Sequence, residues 1–122
     1  PNISFQETSM IAHIRPAQLA DWIAAAPEGA RPLVLDVREA WELQTASVTP
    51  AGFELVAIPM GEIPARLAEL DPARPVACLC HHGMRSLRVA GFLDQQGFEQ
   101  VANITGGIDA WSAELAPSVP RY

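Results

Sequence analysis

The sequence lacks any long apolar run. Its continuous apolar runs, such as those at residues 32–35 and 75–79, fall far short of the roughly 20 residues that a membrane-spanning helix needs. The first residues also lack a basic segment followed by an apolar one, which is the pattern of a secretory leader. We therefore expect no membrane partner, and the predicted localisation is cytoplasmic.

Cysteine is scarce. The chain has two, Cys78 and Cys80, which are too few and too close together for a disulfide framework. No bridge between them is expected, because a disulfide needs Cβ atoms about 3.5–4.5 Å apart and extended residues two positions apart hold theirs farther apart. This cysteine usage is typical of a reducing compartment.

Positive charge is in the minority. The 122 residues include 8 Lys plus Arg and 14 Asp plus Glu, which gives a formal net charge of -6. This balance argues against nucleic acid or an anionic membrane as a partner, since both attract basic surfaces. An anionic ligand would need a local pocket that overcomes the charge of the whole chain.

The length and the hydrophobic periodicity of the chain indicate one domain. Continuous apolar runs predict strands, and apolar residues at helical spacing predict helices. The predicted strands are residues 10–14, 33–36, 53–58, 75–79 and 101–104, and the predicted helices are residues 16–26, 39–44, 63–70, 85–96 and 108–115. We expect an N-terminal arm at residues 1–9, the domain at residues 10–116 and a C-terminal tail at residues 117–122.

Strands and helices alternate along the chain, which predicts an α/β fold: an open, doubly wound parallel sheet with helices on both faces. The runs at residues 33–36 and 75–79 show no polar alternation, as expected of strands buried on both faces. In such folds, ligands bind beyond the carboxyl ends of the strands. Asp36 and Cys80 fall at two such ends, so a site is predicted there.

The stretch from Cys80 to Ser86 has the composition of an anion-binding loop. Cys80 ends a strand and faces the start of a helix, where free N–H groups and the helix dipole favour negative charge on its sulfur. Gly83 permits a positive φ, so the loop can curl and aim its N–H groups inward. Arg85 offers a planar fork to an oxyanion, and Ser86 can donate a hydroxyl hydrogen bond or cap the helix.

A metal site is a weaker interpretation of the same stretch. Its ligands would be Cys78, Cys80, His81 and His82, with His13 as a further candidate. Structural zinc sites space paired ligands by two to four residues and need a second pair, which the sequence lacks. We therefore predict no metal. Cys78 lies inside an apolar run and is predicted to be a packing residue.

Two further features of the loop have more than one interpretation. His81 and His82 are expected to be exposed residues that tune charge or donate to a substrate, with general acid–base work as the alternative. Arg85 could draw an anion, pair with a carboxylate such as Asp36 or Glu42, or do both.

Four segments, in this order along the chain, resemble the rhodanese-like family. The segments are Leu35-Asp36-Val37-Arg38-Glu39 with Glu42, Cys80-His81-His82-Gly83-Met84-Arg85-Ser86, Gly97-Phe98 with Val101-Ala102-Asn103-Ile104, and Gly106-Gly107-Ile108 with Ala110-Trp111. The family's Gly-His-Ile segment before the central strand has no counterpart at residues 46–53.

The resemblance implies a single-domain sulfurtransferase of the thiosulfate type, with Cys80 as the catalytic nucleophile. Cys80 would take the outer sulfur of thiosulfate, or of a related small anion, as a persulfide and pass it to cyanide, a thiol or a protein. No cofactor and no nucleic acid would be involved. Apart from the resemblance, Asp36 and Arg38 are predicted to give structural support rather than chemistry, since a carboxylate at a strand end commonly orders loops by accepting backbone N–H bonds. The substrate-binding residues would be His81, His82, Gly83, Met84, Arg85 and Ser86.

Two other functions remain open. A phosphatase or arsenate reductase of related fold also holds a cysteine thiolate in a loop that ends in arginine, but usually with one more residue between the two. The shorter spacing from Cys80 to Arg85 favours a single sulfur atom, because a phosphate needs a wider ring of amides. The third hypothesis is a non-catalytic interaction module, which the presence of both residues disfavours.

Overall fold

The computed structural model describes residues 11–122, and its five strands form one sheet. The predicted α/β fold is confirmed, since every neighbouring pair of strands runs parallel. The predicted arm, with Met10, lies outside the described residues. The strands are β1 (Ile11–Ile14), β2 (Leu33–Asp36), β3 (Glu54–Ala57), β4 (Val76–Leu79) and β5 (Val101–Ile104), in the spatial order β1-β5-β4-β2-β3.

Helices cover both faces of the sheet, as a doubly wound fold requires. Side chains of β4 alternate between two apolar cores: Cys78 faces the core that α3 completes, and Leu79 faces the core that α1 and α4 complete. Burying one such leucine stabilises the fold by about 2 kcal/mol. The helices are α1 (Leu19–Ala24), α2 (Ala40–Thr45), α3 (Met84–Gln95) and α4 (Gly107–Glu114).

The segment between β3 and β4 corrects the sequence prediction. A helix is predicted over residues 63–70, but the chain forms two short 3-10 turns, Met60–Glu62 and Leu67–Glu69. Pro64 has no backbone N–H, so it cannot donate a helical hydrogen bond in the middle of the segment. The Leu70 amide donates three residues back, which is the 3-10 pattern. The apolar spacing in this segment therefore reflects burial against the core rather than a helix.

The chain after α4 returns to the carboxyl edge of the sheet. Val119 is buried in the same core as α4, and its carbonyl accepts a hydrogen bond from the Ser112 hydroxyl (2.6 Å). Tyr122 then reaches the loop that follows β4. Within residues 11–122, no helix combines the length and the apolar character that crossing a bilayer demands.

Candidate active site

Cys80 directly follows β4, where the sequence predicts the site. The residue is 1% exposed, and its Sγ accepts hydrogen bonds from the backbone N–H groups of Gly83 (3.1 Å) and Ser86 (3.3 Å). Gly83 has a φ of 104°, a left-handed conformation that favours glycine, and α3 starts immediately after it. The predicted inward curl of the loop is thus present, and two N–H dipoles stabilise negative charge on the sulfur.

Ser86 and Asn103 tie this loop to the sheet. The buried Ser86 Oγ lies 3.3 Å from the Cys80 Sγ and donates to the Asn103 Oδ1 (2.6 Å). The Asn103 amide group donates in turn to the Gly83 carbonyl (3.1 Å). The alternative in which Ser86 caps α3 is wrong, because Gly83 occupies the N-cap position. Sequence reasoning missed Asn103 as a site residue, although a polar side chain inside a buried strand was an available signal.

The N-terminus of α4 lies on the other side of the same loop and donates hydrogen bonds to it. The amide of Ile108 donates to the Cys80 carbonyl (2.9 Å), and the amide of Asp109 donates to the His81 carbonyl (3.2 Å). Gly107, with a φ of 60°, passes so close that a Cβ atom there would overlap both carbonyl oxygens. Of the two glycines at positions 106 and 107, Gly107 is therefore needed because the backbone approaches these carbonyl oxygens closely, as well as because of the turn.

Arg85 bonds a carboxylate at the mouth of the loop. Its Nη1 and Nη2 donate to the Oε2 (2.7 Å) and Oε1 (2.8 Å) of Glu42, a bidentate pair. Of the two partners that the sequence allows, Glu42 is the one used. Hydrogen bonds from Arg85 lower the pKa of Glu42 to about 2, and the same pair raises the pKa of Arg85 above its ordinary value.

Asp36 and Arg38 form a separate, fully buried ion pair. Both Asp36 oxygens accept from Arg38, one from Nε (2.9 Å) and one from Nη2 (2.7 Å). Arg38 also donates to the carbonyl of Ala46 (2.9 Å), and so fixes the chain after α2. Because buried charges require partners, this geometry fits the supporting role that the sequence predicts for both residues.

Four rings form a continuous row beside the loop, here called the aromatic ridge: Trp41, Tyr122, His81 and His82. Tyr122 stacks on His81 with ring centroids 4.0 Å apart, His81 stacks on His82 at 3.9 Å, and Trp41 meets Tyr122 edge-on at 6.0 Å. The Tyr122 hydroxyl donates to the Glu42 Oε1 (2.9 Å) and accepts from Arg38 (2.9 Å).

The ridge refines the predictions for the two histidines. His82 is exposed as expected, whereas His81 is half-buried between two rings. Burial, and then the neighbouring His82, lower the pKa of His81. Sequence reasoning missed Tyr122, because no local pattern indicates where residues after the last helix will pack.

Within the described residues, one group of side chains has metal-ligand spacing: His81, His82 and Asp109, whose ligand atoms lie within 4.8 Å of one another. This set differs from the one considered in the sequence, since it includes neither cysteine. Both Asp109 oxygens accept hydrogen bonds from Arg121 (3.0 Å each). The two imidazole rings of this group are stacked, with an interplanar angle of 24°.

The two remaining predicted residues have contrasting surroundings. Cys78 is fully buried and free, which confirms its packing role, and burial raises the pKa of its thiol to about 12. Met84, the first residue of α3, is 67% exposed beside the loop.

Comparison with known proteins agrees with the motifs. The family model described as "Rhodanese-like domain" matches residues 19–114. "Putative sulfurtransferase YtwF" of Bacillus subtilis is 39% identical over 84 residues, which cover 69% of this chain and 77% of that protein. "Rhodanese-like/PpiC domain-containing protein 12, chloroplastic" of Arabidopsis thaliana is 40% identical over 93 residues, which cover 73% of this chain but 30% of that protein.

A solved structure extends the match to the fold. The rhodanese-related protein from Thermoplasma volcanium superposes with a TM-score of 0.70 at 33% identity, and the match covers 91% of this chain and 99% of that chain. Together with the family match, this likeness confirms the resemblance found in the sequence. The chain belongs to the Rhodanese-like domain family.

Proposed function

We propose that this protein is a sulfurtransferase that carries one sulfur atom on Cys80. Relatives in Bacillus subtilis and Allochromatium vinosum bear the name sulfurtransferase, which supports the same class of reaction for this chain. The donor would be thiosulfate or a related small anion with a sulfane sulfur. The acceptor would be cyanide, a thiol or a protein.

The observation that carries the proposal is the pair of N–H groups bonded to the Cys80 Sγ. In the first step, the thiolate attacks the outer sulfur of thiosulfate, a new S–S bond forms on Cys80, and sulfite leaves with the electron pair of the broken S–S bond. In the second step, cyanide attacks the outer sulfur of the persulfide, and thiocyanate departs as the thiolate returns. Atoms and charges balance in this two-step covalent scheme without a cofactor.

The loop supplies donors for the terminal sulfur of the persulfide. The amides of Met84 and Arg85 open α3 and have no carbonyl one helical turn earlier to bond, so they are free to face an anion. Preorganised N–H groups of this kind stabilise charge without rearrangement during the reaction. In this scheme His81, His82 and Gly83 complete the rim that binds the donor.

Mass spectrometry tests the proposal. Incubation with thiosulfate should add the mass of one sulfur atom to the intact protein, and cyanide should remove it with release of thiocyanate. Cys80→Ser should neither gain that mass nor turn over, whereas Cys78→Ala should do both, because Cys78 lies in the core. Turnover that persists in Cys80→Ser would remove Cys80 from the mechanism.

The same preparation separates the two alternatives. Hydrolysis of a generic aryl phosphate without any sulfur loading would instead indicate a phosphatase. Absence of both activities, in a folded protein with a reduced Cys80, would indicate an interaction module.

A further inference from the structure

Three arginines near the Cys80 loop are each paired with a carboxylate. Each of three guanidinium groups bonds one carboxylate, with shortest N–O distances of 2.7, 2.7 and 3.0 Å. Since each positive charge is matched by one negative charge, these pairs bring no net charge to the loop. The pairs are Arg38–Asp36, Arg85–Glu42 and Arg121–Asp109.

Two other residues near the loop, His81 and Arg88, could supply a positive charge to the site. Burial and the neighbouring His82 lower the pKa of His81, which favours the uncharged form of this imidazole. Arg88 lies one turn further along α3, where it lines an apolar groove of about 210 Å³ with Met60 and Phe92. The chain as a whole carries a net charge of -6.

This balance disfavours a doubly charged donor. Thiosulfate brings two negative charges to a reacting sulfur that is itself an anion, and Coulomb repulsion grows with the product of the charges. A local cation would offset the repulsion, but the guanidinium of Arg85 is already held by both oxygens of Glu42. A donor with one negative charge meets about half of this repulsion.

The rim of the site is apolar instead. Trp41 is 63% exposed and Met84 is 67% exposed, and both lie beside the loop. Trp41 belongs to the aromatic ridge, whose faces and edges attract flat or apolar groups. A donor with an apolar group next to its sulfane sulfur would therefore find a matching surface outside the ring of amides.

Building on the proposed function, we infer that Glu42 is a specificity-determining residue that makes the site prefer a singly charged organic sulfur donor to thiosulfate. The chemical class is R–SO₂–S⁻ or a similar monoanion with an apolar R group. The Cys80 thiolate attacks the outer sulfur, the S–S bond of the donor breaks, and the sulfinate R–SO₂⁻ leaves with the electron pair. Two negative charges are present before this step and two after it.

The first test compares thiosulfate with methanethiosulfonate, using cyanide as the acceptor. Glu42→Gln keeps the shape of the side chain and frees the charge of Arg85. The ratio of kcat/KM for thiosulfate to kcat/KM for methanethiosulfonate should rise about three- to tenfold in this variant at low salt. Because the same two donors are used with the unmodified protein and with Glu42→Gln, the difference in their intrinsic reactivity cancels when the two ratios are compared.

Glu69→Gln is the matched control for the first test. It removes the same charge from an exposed carboxylate that pairs with Arg66. Glu69 lies in the segment that leads to the start of β4, whereas Cys80 follows the end of that strand. The ratio should not change in this variant.

A second test needs no variant of Glu42. In the unmodified protein, kcat/KM for thiosulfate should stay level or rise as salt is added, because salt screens the repulsion between a dianion and a negative protein. A steep fall with salt would show that an unscreened cation draws thiosulfate in, and would overturn the inference. A selective loss of the thiosulfate rate in Arg88→Gln would overturn it too, since it would identify that cation.

The third test concerns the apolar group. Benzenethiosulfonate and methanethiosulfonate carry the same charge, so their kcat/KM ratio reports the contact made by the ring. Trp41→Ala should lower this ratio about three- to tenfold, whereas Leu115→Ala, which removes another exposed apolar side chain beyond α4, should leave it unchanged. An unchanged ratio in Trp41→Ala would reject the role of the ridge.

The outcomes separate this inference from the function on which it rests. If sulfur loads onto Cys80 but the thiosulfate ratio is unchanged in Glu42→Gln, charge selection is rejected and the sulfurtransferase stands. If no donor places sulfur on Cys80, both fail.

Discussion

Two thiols lie two residues apart in this chain, and their surroundings could hardly differ more. Cys78 is inside β4, fully buried among apolar side chains, and burial raises the pKa of its thiol to about 12. Cys80 is also buried, but its sulfur accepts two backbone N–H hydrogen bonds from a curled loop. Burial alone therefore does not decide what a cysteine can do; the direction of the surrounding dipoles does.

The contrast follows from where the strand ends. Inside β4, the backbone N–H groups are committed to neighbouring strands, so Cys78 meets only side chains. One residue past the strand, the N–H groups of the loop and of the first turn of α3 are free to point at a side chain. Two residues at the carboxyl end of this strand therefore separate a thiol enclosed by side chains from one whose sulfur accepts backbone hydrogen bonds.

The largest expected effect comes from removing only the second thiol. Cys80→Ser keeps Cys78, yet native protein should take up no sulfur from any donor, because Cys78 is shielded and holds its proton. After unfolding in urea, a thiol reagent should find one cysteine in this variant. Sulfur loading in the native variant would show that the shielding of Cys78 is incomplete.

Crowding the loop that holds Cys80 should have the next largest effect. Gly107→Ala would force a Cβ atom into the carbonyl oxygens of Cys80 and His81, so we expect the free energy of unfolding to fall by about 3 kcal/mol and sulfur loading to be lost. Urea unfolding and mass spectrometry measure the two effects. Gly61→Ala, at a glycine with open space around it, is the control and should change neither.

Acid should weaken the surroundings of Cys80 through Glu42. The folded pKa of Glu42, about 2, lies below its ordinary value of 4.5, so its ion pair stabilises fully above pH 4.5 and is lost as pH falls towards 2. The difference in unfolding free energy between the unmodified protein and Glu42→Gln should be about 2 kcal/mol above pH 5 and vanish near pH 2. A difference that stays constant over this range would contradict the assignment.

The smallest effect should come from removing the buried thiol of Cys78. Cys78→Ala removes one buried sulfur from the core, so unfolding free energy should fall by about 1 kcal/mol, as for a small cavity. Chemical denaturation measures the loss. Sulfur loading on Cys80 should be unchanged, and a loss of loading would show that Cys78 supports the loop.

The sequence predicted the central strands well, because β2, β4 and β5 are buried at every position and therefore appear as unbroken apolar runs. It failed at residues 63–70, where buried apolar positions recur at helical spacing but Pro64 withholds the hydrogen bond that a helix needs. Spacing reports which side chains face the core, and only the backbone donors decide which helix type forms.

The features of the site also divide into those that the sequence predicts and those that it does not. The curl at Gly83 was predictable, since it depends on residues adjacent in the chain. The choice of Glu42 over Asp36 by Arg85 was not, because Asp36 ends β2, Glu42 lies just beyond it in α2, and the packing of α2 decides which carboxylate reaches Arg85. The position of Tyr122 could not be predicted either. It contacts His81 and Glu42, which lie about 40 and 80 residues earlier in the chain, and no local pattern indicates such contacts.

Main chain forms much of the wall around the sulfur, with α3 beginning after Gly83 on one side and α4 beginning after Gly106 on the other, and the Ser86 hydroxyl adds one side-chain group at 3.3 Å. Main-chain atoms are common to every residue type, so substitutions away from Ser86 and from the glycines of this site leave that inner chamber as it is. Changes in side chains act on the outer rim, where Trp41, His82 and Met84 stand exposed. Such a division lets a lineage alter which molecules it serves while the sulfur-handling chemistry stays constant.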